Sequence, residues 1–163
     1  MVTVIMGVSS SGKTTIGKNL SNVMNFIFID ADDYHSENNL LKMKSGIALN
    51  QEDRQPWLHS LRELIDEYLT NQKGMILACS ALSEKSRLIL GTNRKVIQLV
   101  YLKGGKKLIK KRMENRNHFM PPHLIDSQFA ELSEPKNNVL VLDIRYRPSE
   151  LVEEIHNHIK RSK

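Results

Sequence analysis

Gly7-Val8-Ser9-Ser10-Ser11-Gly12-Lys13-Thr14 stands between an apolar run, Val2 to Met6, and a segment where Ile16, Leu20, Val23 and Met24 recur at helical spacing. Glycine, four free positions, then Gly-Lys-Thr is the P-loop spacing, met here without a mismatch. Such a stretch makes a strand turn sharply into a helix while backbone N–H groups point at anionic oxygens. Glycine permits that turn because it lacks a Cβ. Lys13 then reaches the β- and γ-phosphates of a nucleotide and the Thr14 hydroxyl holds Mg²⁺, while the N-terminus of the helix adds its partial positive charge. The alternative is an ordinary Gly/Ser turn, which the flanking strand and helix patterns disfavour.

Beyond the loop the pattern alternates. Phe26 to Ile29 reads as a second strand ending on Asp30-Ala31-Asp32-Asp33, an apolar run suited to a parallel sheet covered on both faces. The polar stretch from Tyr34 to Arg54 is too long for a bare loop, so it predicts a short helix near Ser36 to Lys44 and a functional loop around Ser45 to Asn50. Trp57, Leu58, Leu61, Leu64, Ile65, Tyr68 and Leu69 mark one face of a helix with Pro56 near its start. Met75 to Cys79 is a third strand, Glu84 to Leu90 a short helix stopped by Gly91, and the stretch from Lys95 to Leu102 holds the fourth strand. A basic helix follows Gly104-Gly105. A short helix at about His123 to Leu132 precedes a fifth strand, Val139 to Asp143, and a last helix starts at Pro148 and Ser149 with Leu151, Val152, Ile155 and Ile159 inward. Strands alternating with helices define an α/β fold: a three-layer αβα sandwich with a five-stranded parallel sheet and a helical lid, binding ligands at the carboxyl ends of the strands. At 163 residues this is one domain, with a substrate-binding insertion at about 34–56 and a lid at about 116–135.

Phosphoryl transfer needs a metal held by oxygens, a group that accepts the nucleophile's proton, and cations for the developing charge. Two strands end in an aspartate, so the metal-side carboxylate is either the Asp30 and Asp32 pair or Asp143. The pair is favoured if a turn there cancels strand alternation, which otherwise sends the two to opposite faces. His35, Lys42, Lys44, Asp53 and Arg54 suit a small hydroxyl-rich anion, with Lys or Arg on its carboxylate. Arg112, Arg116 and His118 fit a lid that carries cations over the transferring phosphate.

With these blocks in view the sequence resembles the gluconate kinases of the thermoresistant gluconokinase type, small P-loop kinases. The resemblance covers nearly the whole chain. It is carried by Gly7 to Thr15, Asp30 to His35, Asn39 to Gly46, Leu49-Asn50 with Asp53-Arg54 and Pro56-Trp57-Leu58, Ala78 to Leu82, Tyr101 to Gly104, and His118 to Pro121 with Ser127-Gln128-Phe129 and Glu134-Pro135. It implies ATP- and Mg²⁺-dependent phosphorylation of D-gluconate at the 6-hydroxyl in a cytosolic homodimer. By position it implies that Asp32 is the base, Asp30 serves the metal with Thr14, and Gly7, Val8, Ser9, Ser10, Ser11, Gly12, Lys13, Thr14 and Thr15 hold the phosphates. Arg112, Arg147 and Pro148 then lie at the nucleotide, Arg116 is the lid arginine, and His35, Lys42, Arg54, Ser80, Arg87 and His118 surround the acceptor. Ser83 and Ser86 stand where lysine and tyrosine are usual.

Charge and cysteine content fit this picture. The net charge of +6 would also suit nucleic acid, yet the local concentration Lys106 to Arg112 alternates with Leu108 and Ile109 as the solvated face of a helix does, and no nucleic-acid module accompanies it. A single cysteine, Cys79, allows no internal disulfide and suits a reducing cytosol. No signal peptide or membrane-spanning run is read in the sequence.

Overall fold

The computed structural model describes residues 1–115, 121 and 123–162. Five parallel strands, β1 (Val2–Met6), β2 (Ile27–Asp30), β3 (Met75–Ala78), β4 (Ile97–Lys103) and β5 (Val139–Asp143), form one sheet in the order β2-β3-β1-β4-β5. Seven α-helices are described: α1 (Lys13–Met24), α2 (Glu37–Lys44), α3 (Gln51–Thr70), α4 (Glu84–Leu90), α5 (Lys106–Glu114), α6 (His123–Glu131) and α7 (Pro148–Arg161). The α/β sandwich expected from the alternation is what forms.

Strand alternation divides the core in two. Ile5, Ile76, Val100, Leu102 and Leu142 pack with Ile16 and Leu20 of α1, Ile109 of α5, Ile125 of α6, and Leu151, Val152, Ile155 and Ile159 of α7. Val4, Met6, Met75, Leu77, Leu99 and Tyr101 face the other way, against Trp57, Leu58, Leu61 and Ile65 of α3 and Leu90 of α4. Leu58, Leu61 and Ile65 are fully buried, each a gain of about 2 kcal/mol over exposure. Among the described residues no helix is long and apolar enough to cross a membrane.

Several elements depart from expectation, each for a packing reason. The second strand starts at Ile27, not Phe26: Asn25 ends α1 in the left-handed region (φ 54°), and the Phe26 ring lies over Gly74, where a Cβ would come within 2.1 Å of it. This strand is also the sheet edge, so Ile27 is 48% exposed instead of covered on both faces. On α1 the inward stripe is Ile16, Gly17, Leu20 and Ser21, and Val23 faces solvent. Gly17 allows the close approach, since a Cβ there would meet the Phe28 ring at 2.4 Å. Helix α3 begins well before Pro56, because Asn50 and Asp53 cap it reciprocally: Asn50 Oδ1 accepts the Asp53 N–H and Asp53 Oδ2 accepts the Asn50 N–H.

The topology fixes where chemistry can occur. Central β1 is followed directly by the loop, and Asp30 of β2 pairs with Ala78 of β3, whose neighbour is Ile5 of β1. The ends of β1, β2 and β3 therefore open onto one place.

Candidate active site

Gly7 leaves β1 at φ 152°, where a Cβ would meet Ser11 Oγ at 2.7 Å and the Leu102 carbonyl at 2.9 Å, so only glycine closes this turn. Gly12, at φ 100°, starts α1 with no side-chain cap and no acidic residue in its first turn. The positive end of α1 is thus left for an anion. Ser10 and Ser11 hydroxyls are buried without a hydrogen-bond partner among the described residues, as the lining of a cradle for phosphate oxygens would be. Lys13 Nζ folds back over the loop, donating to the Gly7 and Val8 carbonyls at 2.9 Å each. Burial pushes its ammonium pKa down, against Asp32, Cys79 and Asp30, which push it up. The Val8 side chain belongs to the core, and Thr15 is exposed on the first turn of α1.

A 3-10 turn, Ala31–Tyr34, follows β2, and Asp30 caps it: Asp30 Oδ1 accepts the Asp32 N–H at 3.1 Å while Oδ2 accepts the Thr14 hydroxyl at 2.9 Å. The turn cancels strand alternation, so Asp30, Asp32 and Lys13 share one cavity of about 320 Å³, within the ~300–1,000 Å³ common for small-molecule sites. Asp143 lies elsewhere, bound to Arg145 at 2.6–3.1 Å. Asp32 stands at the cavity with its side chain 76% exposed. Burial raises its carboxyl pKa, with the Lys13 charge opposing and Asp30 and Asp33 adding to the rise.

His35 closes one wall. Its ring stacks on Trp57 with centroids 4.1 Å apart, and Trp57 is held by its indole N–H donating to the Ala31 carbonyl at 2.7 Å. Only 4% of the His35 side chain is exposed, and burial, then the Arg54 charge, lowers its pKa to about 4. The imidazole is neutral at pH 7, with Nε2 3.7 Å from Asp32 and Nδ1 without a partner among the described residues. Arg54 and Ser80 also line the cavity.

Lys42 and Arg87 do not. Lys42 is paired with Asp53 at 2.7 Å. Arg87 is buried behind the wall and donates to the carbonyls of Ala81 and Leu82 at 3.1 and 2.9 Å and to Ser133 Oγ at 3.2 Å. It therefore fixes the turn after β3, where Ala81 sits at φ 45°, and leaves contact with the cavity to the neighbouring Ser86. Arg112 donates to the Ile144 carbonyl at 2.6 Å, which ties α5 to the segment leading into Arg147 and Pro148. Arg147 itself is exposed and caps α7 with Glu150. Arg116 and His118 lie outside the described residues.

Trp57, Gln128 and Glu131 line the cavity without having been singled out for it in the sequence. The signal available was spacing: Leu124, Ser127, Gln128 and Glu131 recur at i, i+3, i+4 and i+7, a partly polar stripe on one helix face. A larger cavity of about 660 Å³, by Lys103, Lys107 and Val141, contains none of the phosphate cradle.

An anion cradle, a hydroxyl and carboxylate pair beside it, and a cavity with a second carboxylate define, on this fold, a small P-loop kinase. Comparison with known proteins narrows the class. The sequence profile described as shikimate kinase matches residues 9–160. A probable gluconokinase of Dictyostelium discoideum is 40% identical over 173 aligned positions, covering 98% of this chain and 86% of the relative. The thermoresistant gluconokinase of Escherichia coli K12 is 35% identical over 145, covering 86% and 83%. The crystal structure of a gluconokinase from Sinorhizobium meliloti 1021 superimposes with a TM-score of 0.85 at 32% identity, covering 98% of this chain and 91% of that one. The chain belongs to the gluconokinases, within the broader shikimate kinase family that the profile describes.

Proposed function

We propose that this kinase transfers the γ-phosphate of ATP to the 6-hydroxyl of D-gluconate, giving 6-phosphogluconate and ADP. The observation that carries this is the shared cavity, lined together by Lys13, Asp32, His35, Ser80 and Arg54, in a member of the gluconokinases. Asp32 accepts the proton of the attacking hydroxyl, and Lys13 neutralises charge on the transferring phosphoryl group. Arg54 takes the acceptor's carboxylate, and the neutral His35 and Ser80 hold its hydroxyls. Residues near Arg147 and Pro148 flank the adenine, Arg112 serves the nucleotide, and the segment 116–135, with Arg116 and His118, is the lid that brings cations over the transferring phosphate. The insertion at 34–56 supplies the acceptor wall.

Thr14 and Asp30 offer hard oxygen donors 2.9 Å apart, which fits Mg²⁺, an ion that keeps several waters and takes few protein ligands. Thr14 and Asp30 would hold the ion, which would supply positive charge against that on the phosphates. We place the working protein in the cytoplasm as a homodimer, with no nucleic-acid or membrane partner.

A coupled ADP-release assay with purified protein, ATP, Mg²⁺ and a panel of hydroxy acids tests the acceptor. Turnover is expected on gluconate. ADP release on shikimate or another acid with none on gluconate would reassign the acceptor within the same fold.

A further inference from the structure

Helix α6 lays Leu124, Ser127, Gln128 and Glu131 over the cavity, and two of these bind groups that the reaction needs. Gln128 Oε1 accepts the Ser9 backbone N–H at 2.8 Å, and its Nε2 donates to Ser9 Oγ at 3.0 Å. Glu131 Oε1 accepts Arg54 Nη1, while Arg54 Nη2 donates to the Leu49 carbonyl. The Arg54 and Glu131 side chains are only 18% and 24% exposed, so the pair is substantially shielded from water. An amide oxygen on a phosphate-loop N–H and a carboxylate on the acceptor's guanidinium are chemical stand-ins for a phosphate oxygen and a sugar-acid carboxylate. Charge points the same way. With His35 neutral, Lys13 and Arg54 share the cavity with Asp30, Asp32 and Glu131, so an anionic acceptor meets a negative balance until Glu131 leaves Arg54.

We propose that Gln128 and Glu131 are positioning residues through which α6 couples the two substrates: Gln128 yields Ser9 to the γ-phosphate, Glu131 yields Arg54 to the acceptor's carboxylate, and release of one anchor eases release of the other. This coupling rests on the acceptor assignment above. Whichever ligand binds first frees one end of the α6 face, so the second has less to break, and linkage makes the effect reciprocal. The outer ties of α6 stay in place, Asp126 to Lys106 and Lys110 at 2.7 and 3.1 Å and His123 Nε2 to the Gly46 carbonyl at 2.9 Å. Selectivity follows as well, because a neutral polyol cannot replace Glu131 on Arg54 and an acid can.

Isothermal titration calorimetry of the full chain tests this, with gluconate titrated alone and in the presence of Mg²⁺ and a non-hydrolysable ATP analogue. The wild-type protein should bind gluconate about five-fold or more tighter with the analogue bound, at the lower end of usual couplings. Glu131→Gln should bind gluconate alone about as tightly as the wild type does with the analogue. Gln128→Ala should bind the analogue alone more tightly, and in both variants the coupling should fall to within about two-fold of none. Glu131→Asp should fall between, and it carries the acceptor arm if Glu131→Gln does not fold. Weaker gluconate binding by the Glu131 variants, or coupling unchanged in both sets, overturns the proposal alone. No gluconate heat in any protein, with analogue binding intact, overturns the acceptor assignment and the coupling with it.

Discussion

Acidification should weaken the folded protein through His35, by an amount the structure sets. The imidazole is 4% exposed, stacked on Trp57, and held to a pKa of about 4 instead of 6.5 by burial and by Arg54. Above pH 6.5 both folded and unfolded chains carry the neutral ring, so His35 contributes no pH dependence. As pH falls through 6.5 the unfolded chain takes the proton and the folded chain does not, so stability is lost down to about pH 4. The full loss is about 3 kcal/mol, and about 2 kcal/mol of it falls between pH 7 and pH 5. Asp32, 3.7 Å away, has a raised pKa and acts with the opposite sign, but it is present in every protein compared. Urea unfolding of the wild type and His35→Gln at pH 7, 6 and 5 isolates the effect. Glutamine loses the ring stack, so the variant should be less stable at pH 7 and should close that gap by about 2 kcal/mol at pH 5. A gap that stays constant over this range would show that His35 titrates normally in the folded chain and refute the neutral hydroxyl-binding imidazole.

Three further outcomes follow from the site. Asp32→Asn should lower turnover on gluconate by about 10²–10⁴-fold while binding of an ATP analogue survives, since the carboxylate is placed to accept a proton and not to hold the nucleotide; steady-state kinetics beside calorimetry checks this, and unchanged turnover moves the base elsewhere. Lys13→Ala should cost about 10²-fold or more in kcat, read in the ADP-release assay. Gly7→Ala forces a Cβ to within 2.7 Å of Ser11 Oγ and 2.9 Å of the Leu102 carbonyl. It should weaken ATP-analogue binding by about ten-fold or more, the equivalent of a strain of about 1.4 kcal/mol at φ 152°. Wild-type affinity would mean the loop relaxes around the methyl group.

Much of the fold was legible because it depends on local period and punctuation. The loop from Gly7 to Thr14, the run Val139 to Asp143 and the inward face of α7 carry their signal within a few residues. What was not legible depends on neighbours in space. Sequence alone cannot show that β2 lies at the sheet edge, so the exposure of Ile27 came only with the strand order. Gly17 reads as a helix weakener until Phe28 is seen packed against it. In the site, Asp30 and Asp32 were readable as a pair conditional on a turn, and the Asp30 cap supplies that turn. Lys42 and Arg54 look equivalent in sequence, yet Asp53 occupies the first, and the second faces the cavity with Glu131, a partner 77 residues away.

The acceptor is tested most directly by competition. The protein is incubated with ATP, Mg²⁺ and equal amounts of gluconate and shikimate, and the product is read by proton-coupled phosphorus NMR. Transfer to the 6-hydroxyl of gluconate places the phosphate on a methylene carbon, so the new phosphomonoester signal should be a triplet, and shikimate should remain unreacted. A doublet, from phosphate on a ring carbon bearing one hydrogen, with gluconate untouched, would contradict the assignment of gluconate to the cavity formed by Asp32, His35 and Arg54.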